Sequence, residues 1–291
     1  MQPTLIEMDR NDLSIERITR AGKIVFGDEY SESLVRSNWI NSHPKTKFYG
    51  FFVGEELVST VAFIAHAAEI DRRAILLYQA CHVITLPEHQ GKGYFSKIVA
   101  HAIAHLDGEF IIGFPNTVAE PIWVKKLAFH LEPLRRIWAP VFVSSRIFNS
   151  RIYAAECNNP FLVRVDERAI SEWKKLEHPN QIESFEENGN YIWGREILKR
   201  IGFMSVRVFL VGGISMREPS ALSQFLKSFF ARRRVKFVQF ICAKNSPISR
   251  SARVSLHGDR TEPLIWLPLR PERLDMSSIK FDLHNSIKDV A

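Results

Sequence analysis

Thr85-Leu86-Pro87-Glu88-His89-Gln90-Gly91-Lys92-Gly93-Tyr94-Phe95-Ser96-Lys97 is the stretch on which the reading of this chain turns. Before it, Ala74–Thr85 is almost continuously apolar, which predicts a strand buried on both faces. After it, Phe95, Ile98, Val99, Ala102, Ile103 and Leu106 recur at helical spacing and predict one apolar helix face, with Gly108 as the stop. Gly91 and Gly93 allow the backbone between strand and helix to approach a ligand closely. The helix then opens with N–H groups that lack helical acceptors, at the positive end of its dipole. Strand, glycine loop and helix start together predict a phosphate site, with a pyrophosphate as the natural ligand. The Walker pattern and the three-glycine dinucleotide pattern are both absent from the loop.

Reading outward, Thr4–Met8 predicts a short strand. Asp12 is a candidate cap for a helix reaching Val25, and a second short helix is expected over Ser31–Ile40. Phe48–Val53 and Leu57–Ala65, joined by Gly54-Glu55-Glu56, predict a hairpin. Beyond the helix, Phe110–Phe114 reads as a short buried strand and Glu120–Leu127 as a short helix with Pro121 in its first turn.

With these flanks on the page, the segment resembles the acyl-CoA pyrophosphate loop of the GNAT N-acetyltransferase superfamily. Gln90, Gly91, Lys92 and Gly93 fit the pattern of Gln or Arg, two residues, Gly, one residue, Gly or Ala, and Phe95 stands where a further small residue is usual. Gly113-Phe114-Pro115-Asn116 resembles the next strand with its Asn turn. Pro121 to Phe129 resembles the following helix and its Lys-Leu-Gly-Phe ending, with Ala128 in place of Gly. The resemblance spans about residues 4–140. It implies a mixed, mostly antiparallel α/β (α+β) sheet flanked by helices, and acyl transfer from acetyl-CoA or another acyl-CoA to an amine without a metal.

The same resemblance implies that backbone groups of Val83, Ile84 and Thr85 hold the pantetheine arm beside a bulge that opens a slot. Amides of Gln90, Gly91, Lys92, Gly93, Tyr94, Phe95 and Ser96 would hold the pyrophosphate, and Asn116 would contact the co-substrate. Many relatives place a proton-donating Tyr where this chain has Val124. Strict alternation puts Tyr78, Ala80, His82 and Ile84 on one strand face. His82 and Tyr78 are therefore the candidate acid–base residues, His82 because its unperturbed pKa suits proton uptake near neutrality, the alternative being a satisfied buried histidine. His101 and His105 have metal-ligand spacing but no accompanying carboxylate motif.

The chain is 291 residues long with a net charge of +7. The charge is uneven, because residues 1–150 carry 16 basic and 16 acidic side chains and residues 151–291 carry 23 and 16. Two units are expected, 1–145 and 146–291. The second reads as a smaller α/β domain, and either as a degenerate GNAT-like repeat forming an acceptor wall or as ordinary strand–helix alternation. In it, Phe203–Val211 reads as a strand broken by Gly212-Gly213. Ser220 is a candidate cap for a helix bearing Leu222, Phe225, Leu226, Phe229 and Phe230, and Val235–Cys242 reads as the next strand. Tyr191-Ile192-Trp193-Gly194-Arg195 offers Trp193 and Arg195 for a small-molecule, sugar or peptide amine acceptor, or else a core Trp beside a surface Arg. Arg232-Arg233-Arg234 suits an anionic ligand or simply the helix C-terminus. No zinc-finger or RNA-binding signature accompanies the charge, which argues against nucleic acid. Three scattered cysteines, no secretory signal and no apolar run of membrane-spanning length make a reducing, cytoplasmic setting the expectation.

Overall fold

Strand pairing runs without interruption from one half of the chain into the other. The computed structural model describes residues 2–9, 15–40, 42–141, 148–177, 181–201, 203–253, 256–257, 263–273 and 275–283. The strands are β1 (Thr4–Met8), β2 (Lys47–Val53), β3 (Glu56–Ile70), β4 (Arg73–Thr85), β5 (Phe110–Gly113), β6 (His130–Pro140), β7 (Leu162–Val165), β8 (Glu183–Glu187), β9 (Asn190–Ile201), β10 (Met204–Ser215), β11 (Phe237–Ala243), β12 (Leu256–His257), β13 (Pro263–Pro268) and β14 (Lys280–Asp282). The helices are α1 (Ile15–Phe26), α2 (Glu32–Val35), α3 (Tyr94–His105), α4 (Ser150–Cys157), α5 (Glu167–Glu177), α6 (Leu222–Ala231) and α7 (Pro247–Ser251). No helix among them is long and apolar enough to cross a membrane. The candidate cap Asp12 lies outside the described residues.

The strand order is β1-β2-β3-β4-β5-β13-β6-β11-β10-β9-β8. Neighbours are antiparallel except β4 with β5 and β10 with β11 along this path. Each parallel pair is joined by one helix, α3 in the first half and α6 in the second. Each is preceded by two antiparallel hairpins, β2-β3-β4 and β8-β9-β10. The same topology therefore occurs twice. The two copies exchange strands at the centre: β13, from late in the chain, pairs with β5, while β6, from the first half, pairs with β11. Hydrogen bonding thus crosses residue 145 in both directions.

Local chemistry explains the elements. On α3 the buried residues Ile98, Val99 and Ala102 lie on one stripe against Tyr49, Phe63 and Tyr78. On the opposite face of the first half, α1 lays Ile18 and Ala21 on Ala62 and Ile84. In the second half, Phe225, Leu226, Phe229 and Phe230 of α6 pack on Phe209, Val238 and Phe240, giving an aromatic core. The centre is bridged by a cluster joining Leu77, Phe110 and Ile112 to Leu134, Trp193 and Ala243.

Three sequence expectations change. Gly108 does not stop α3, which ends at His105. A side chain at 108 would meet Leu76 O at 2.7 Å, so glycine there serves the contact with β4. Gly212-Gly213 does not break β10; the strand continues to Ser215 with a register shift between Val211 and Gly213. Ser220 does not cap α6, whose first flanking residue is Ala221, and its hydroxyl donates to Glu218 instead.

Candidate functional site

β4 is where the first half opens. Leu77 to Ala80 pair with Phe110 to Gly113 of β5, and there β5 ends while β4 continues to Thr85. On its other side β4 pairs with β3, with Thr60 opposite Ile84 and Ala62 opposite Cys81. His82 and Val83 therefore face the single residue Val61, which is a β-bulge. His82 takes φ +49° to make it. The bulge bends β4 away from β5, and the wedge between them is a cavity of about 330 Å³. Gln79, Cys81, His82, Val83, Asn116 and Trp123 are among its walls.

The bulge also overturns the strict alternation. Tyr78 and Ala80 pack with Val83 on the α3 side, whereas Cys81 and Ile84 pack on the α1 side. Tyr78 and His82 are thus not brought together. Tyr78 is fully buried, and its hydroxyl donates to Asp107 at 2.6 Å. Burial, then the hydrogen bond to Asp107, holds the phenol far above its ordinary range. Tyr78 ties the end of α3 to β4 and does not line the cavity.

His82 does line it. Asn38 Nδ2 lies 3.0 Å from His82 Nε2 and donates to it, so Nδ1–H donates to Tyr30 Oη at 2.9 Å. Tyr30 also meets the ring edge-on at 5.6 Å. Ser31 caps α2 by accepting from Leu34 N–H, which fixes the turn that carries Tyr30 and Asn38. These two residues were not singled out from the sequence. They lie about fifty residues from His82, and no local pattern announces such a pairing.

At the far end of β4, Leu86 N–H still pairs with Val58 O, and Pro87–His89 form one tight turn. Gly91 and Gly93 then take φ +75° and +77°. A Cβ on either would meet nothing within 4 Å. The need for glycine is therefore conformational, and the space above the loop is open. Lys97 N–H donates to Gly93 O as the ladder of α3 begins, and no side chain caps this end. The amides of Tyr94, Phe95 and Ser96 thus have no helical acceptor.

The side chains of the loop have separate duties. Gln90 donates to Thr85 O at 3.3 Å, and Thr85 Oγ1 meets Ser59 Oγ at 2.9 Å. Tyr94 stacks on Phe51 at 4.9 Å, and Phe95 sits edge-on to Trp123 at 4.9 Å. These two rings face the core, leaving their backbone at the loop. Asn116 Oδ1 accepts from Val118 and Ala119 N–H, so its amide oxygen is spent on its own turn. Val124 packs beside Trp123 in the α3 cluster and has no proton to give.

Residues 11–119 match the family model described as an acetyltransferase (GNAT) domain. This part of the chain belongs to the GNAT superfamily. GNAT domains use acetyl-CoA as co-substrate, and the glycine loop, the freed edge of β4 and the wedge beyond it fit such a group. The fold of the whole chain is similar to that of a GCN5-related N-acetyltransferase from Kribbella flavida, with a TM-score of 0.62 at 13% identity over 92% of this chain and 72% of that one. A GCN5-related N-acetyltransferase from Anabaena variabilis gives 0.61 at 13% identity over 92% and 73%. No match is found among curated proteins. At such identities the likeness is one of fold, and it extends beyond the GNAT domain into the second half.

In that second half the structure corrects the reading of Trp193 as an acceptor-binding face. Trp193 is 2% exposed, and its indole N–H donates to Glu167 at 2.9 Å. A Cβ on Gly212 would meet the Trp193 ring at 2.5 Å, and one on Gly213 would meet Glu167 Oε2 at 1.7 Å. The two glycines therefore make room for a buried Trp–Glu pair. Arg195, two residues on, is half-buried. Among the basic run, Arg233 is engaged by Glu183 and Glu196 and lies over Phe229 at 4.5 Å, and Arg232 pairs with Glu187 at 3.7 Å. Those two arginines fasten the C-terminus of α6 to β8 and β9. His101 and His105 stack on each other at 4.0 Å, and among the described residues no group of three or more His, Cys, Asp or Glu converges.

Proposed function

We propose that the protein is an acyl-CoA-dependent N-acyltransferase that takes acetyl-CoA as co-substrate and passes the acyl group directly to the amine of a small-molecule, sugar or peptide acceptor. One observation carries the reading: the edge of β4 freed from β5 runs from the cavity straight to the uncapped start of α3. An extended arm pairs with such an edge, and a pyrophosphate suits such a helix start. Bound acetyl-CoA supplies the activated thioester. The chain's own part is to hold it, through backbone of Val83 to Thr85 and amides of Gln90 to Ser96. A backbone N–H of the Val83–Ile84 stretch would steady the developing negative charge.

The acceptor amine must shed a proton, and His82 is the residue we assign to receive it. As drawn, Nε2 accepts from the Asn38 amide. An amide that turns over presents Oδ1 instead, so Asn38 satisfies His82 in both its neutral and its protonated form. Tyr78, tied to Asp107, is left out of this assignment. The two units 1–145 and 146–291 are proposed to act together, the second walling the acceptor side.

Val124 favours a second reading, in which the domain binds acyl-CoA without turning it over. One experiment separates the two. Melting is followed with millimolar acetyl-CoA, and thiol release is then measured across a panel of amines. A rise in melting temperature with steady thiol release supports transfer, and His82→Gln is expected to cut turnover and flatten its rise with pH. A rise without release from any amine leaves the binder. No rise at all would sink both.

A further inference from the structure

Gly22 stands inside α1, where glycine is a poor helix former. A Cβ there would meet the ring of Tyr30 at 2.1 Å, so the glycine lets that ring lie directly on the helix. One turn later Phe26 closes α1. Gly27 at φ +89° then reverses the chain, and Tyr30 N–H donates to Gly27 O. The reversal stacks Phe26 on Tyr30, with ring centres 5.5 Å apart and planes within 24°. Tyr30 is buried, but Phe26 is 48% exposed and forms part of the cavity wall. The result is an aromatic shelf at the mouth of the wedge between β4 and β5.

The cavity passes through the sheet. Val83, Ala119 and Trp123 among its walls pack on the α3 side, whereas Leu34 and Cys81 pack on the α1 side. On the N-acyltransferase reading, the co-substrate reaches the wedge from the loop before α3, which leaves the α1 face for the acceptor. His82 is approached from that face: Tyr30 and Asn38, which hold its ring, both belong to the segment that follows α1. The second half braces the same segment, because the Trp173 indole of α5 donates to Ser37 O at 2.7 Å.

Among the described residues, no Asp, Glu, Lys or Arg lines the cavity. Lys23, Asp28 and Glu29 near the rim are exposed and are not among its walls, and Glu32 is engaged by Arg36 at 2.8 Å. Of the polar walls, Gln79 meets His66 at 3.1 Å and Asn116 accepts from its own turn. A polyamine or an amino sugar entering here would bring charges or hydroxyls that these walls do not match, at the cost of their desolvation. An apolar body gains by leaving water, and a ring laid on Phe26 gains stacking as well. With no wall carboxylate to favour an ammonium, the site suits the neutral amine, the form that proton transfer to His82 produces.

We propose that Phe26 and Leu34, with Tyr30 beneath, form an acceptor shelf that selects a small-molecule amine carried on an aromatic or other apolar body. The direction of approach rests on the N-acyltransferase reading, but the affinity of the shelf for a ring does not need it.

The test follows thiol release from acetyl-CoA on the full chain with 2-phenylethylamine, glucosamine and putrescine as amines. kcat/KM is expected to be at least about tenfold higher for 2-phenylethylamine than for either polar amine. Phe26→Ser, at a half-exposed position, should keep the rise in melting temperature with acetyl-CoA and cut kcat/KM for 2-phenylethylamine about tenfold, through KM. Phe26→Tyr, which keeps the ring, should restore it. Glucosamine or putrescine served as well as 2-phenylethylamine overturns the proposal. So does a Phe26→Ser variant that loses all three amines equally. A variant that instead changes the preference between acetyl-CoA and hexanoyl-CoA also overturns it, because the ring then faces the acyl chain. A second readout needs no turnover: N-acetyl-2-phenylethylamine, the uncharged product, should raise the melting temperature of the parent and not that of Phe26→Ser. That response in a protein that releases no thiol with any amine leaves the shelf standing and removes the N-acyltransferase reading. Thiol release with glucosamine alone keeps transfer and removes the shelf. Absence of both responses removes both.

Discussion

The crossovers β4–α3–β5 and β10–α6–β11 share one topology and differ at the point where a ligand would enter. In the first, the helix start is uncapped and its loop glycines take positive φ beneath open space. In the second, the corresponding amide is consumed internally: Ser223 N–H donates to Ser150 Oγ of α4 at 3.3 Å. Glu218, which accepts from Ser220, sets a carboxylate of the chain's own close by. The strand irregularities differ in the same sense. The bulge of β4 at His82 opens into a cavity, whereas the shift in β10 at Gly212-Gly213 is filled by Trp193 and Glu167. One framework thus gives a receptive site or a sealed core, depending on whether side chains are spent on the two weak points.

Unsealing the second half should have the largest effect. Trp193→Ala removes a buried indole and its hydrogen bond to Glu167, and a loss of roughly 3–5 kcal/mol is expected by denaturant unfolding. If Trp193 were an acceptor face instead, the stability would barely move while acceptor KM rose. Next comes Gly93→Ala in the open loop. Holding alanine at φ +77° costs about 1–2 kcal/mol. The rise in melting temperature with acetyl-CoA should fall with it, and an undiminished rise would show that the loop is not the binding element.

These two variants mark what the sequence tells a reader. The glycine loop and the apolar stripe of α3 are local patterns, and the stretch from 85 to 106 folds as they indicate. Glycine itself is ambiguous. At 91 and 93 it serves φ, at 212 and 213 it serves the closeness of Trp193 and Glu167, and only the tertiary partner distinguishes the cases. The family resemblance implies a bulge in this stretch but does not fix its effect on the faces, since alternation along Tyr78 to Ile84 is unbroken on paper and His82 adopts positive φ with no residue-type signal. Tyr30 and Asn38, and the exchange of β6 with β13, depend on pairings across long separations that periodicity does not register.

Smaller effects refine the contrast. Ser150→Ala leaves the Ser223 amide without its acceptor and should cost about 1 kcal/mol, with no change in the response to acetyl-CoA. A matching gain of anion affinity at α6 would show that its start is merely plugged. The smallest effect varies with pH. The hydrogen bond from Tyr78, then the ion pair with Lys45, holds the Asp107 carboxyl below its usual range. A depressed carboxylate stabilises the fold above its unfolded pKa, and that contribution disappears as pH falls through the folded one. Tyr78→Phe should therefore lower the melting temperature slightly at neutral pH, and that loss should shrink as pH falls below about 4. Equal losses at both pH values would mean that Asp107 contributes nothing through its charge.

The exchange of β6 and β13 makes each half the custodian of a strand that the other needs. Separated at residue 145, the first fragment would expose the outer edge of β5, and the second the edge of β11, both ready to pair with foreign chains. Neither piece is expected to fold by itself. A single calorimetric transition is expected for the whole chain, and acetyl-CoA, on the proposal that the first half holds it, should delay the melting of the aromatic core around α6 as much as that of the loop before α3.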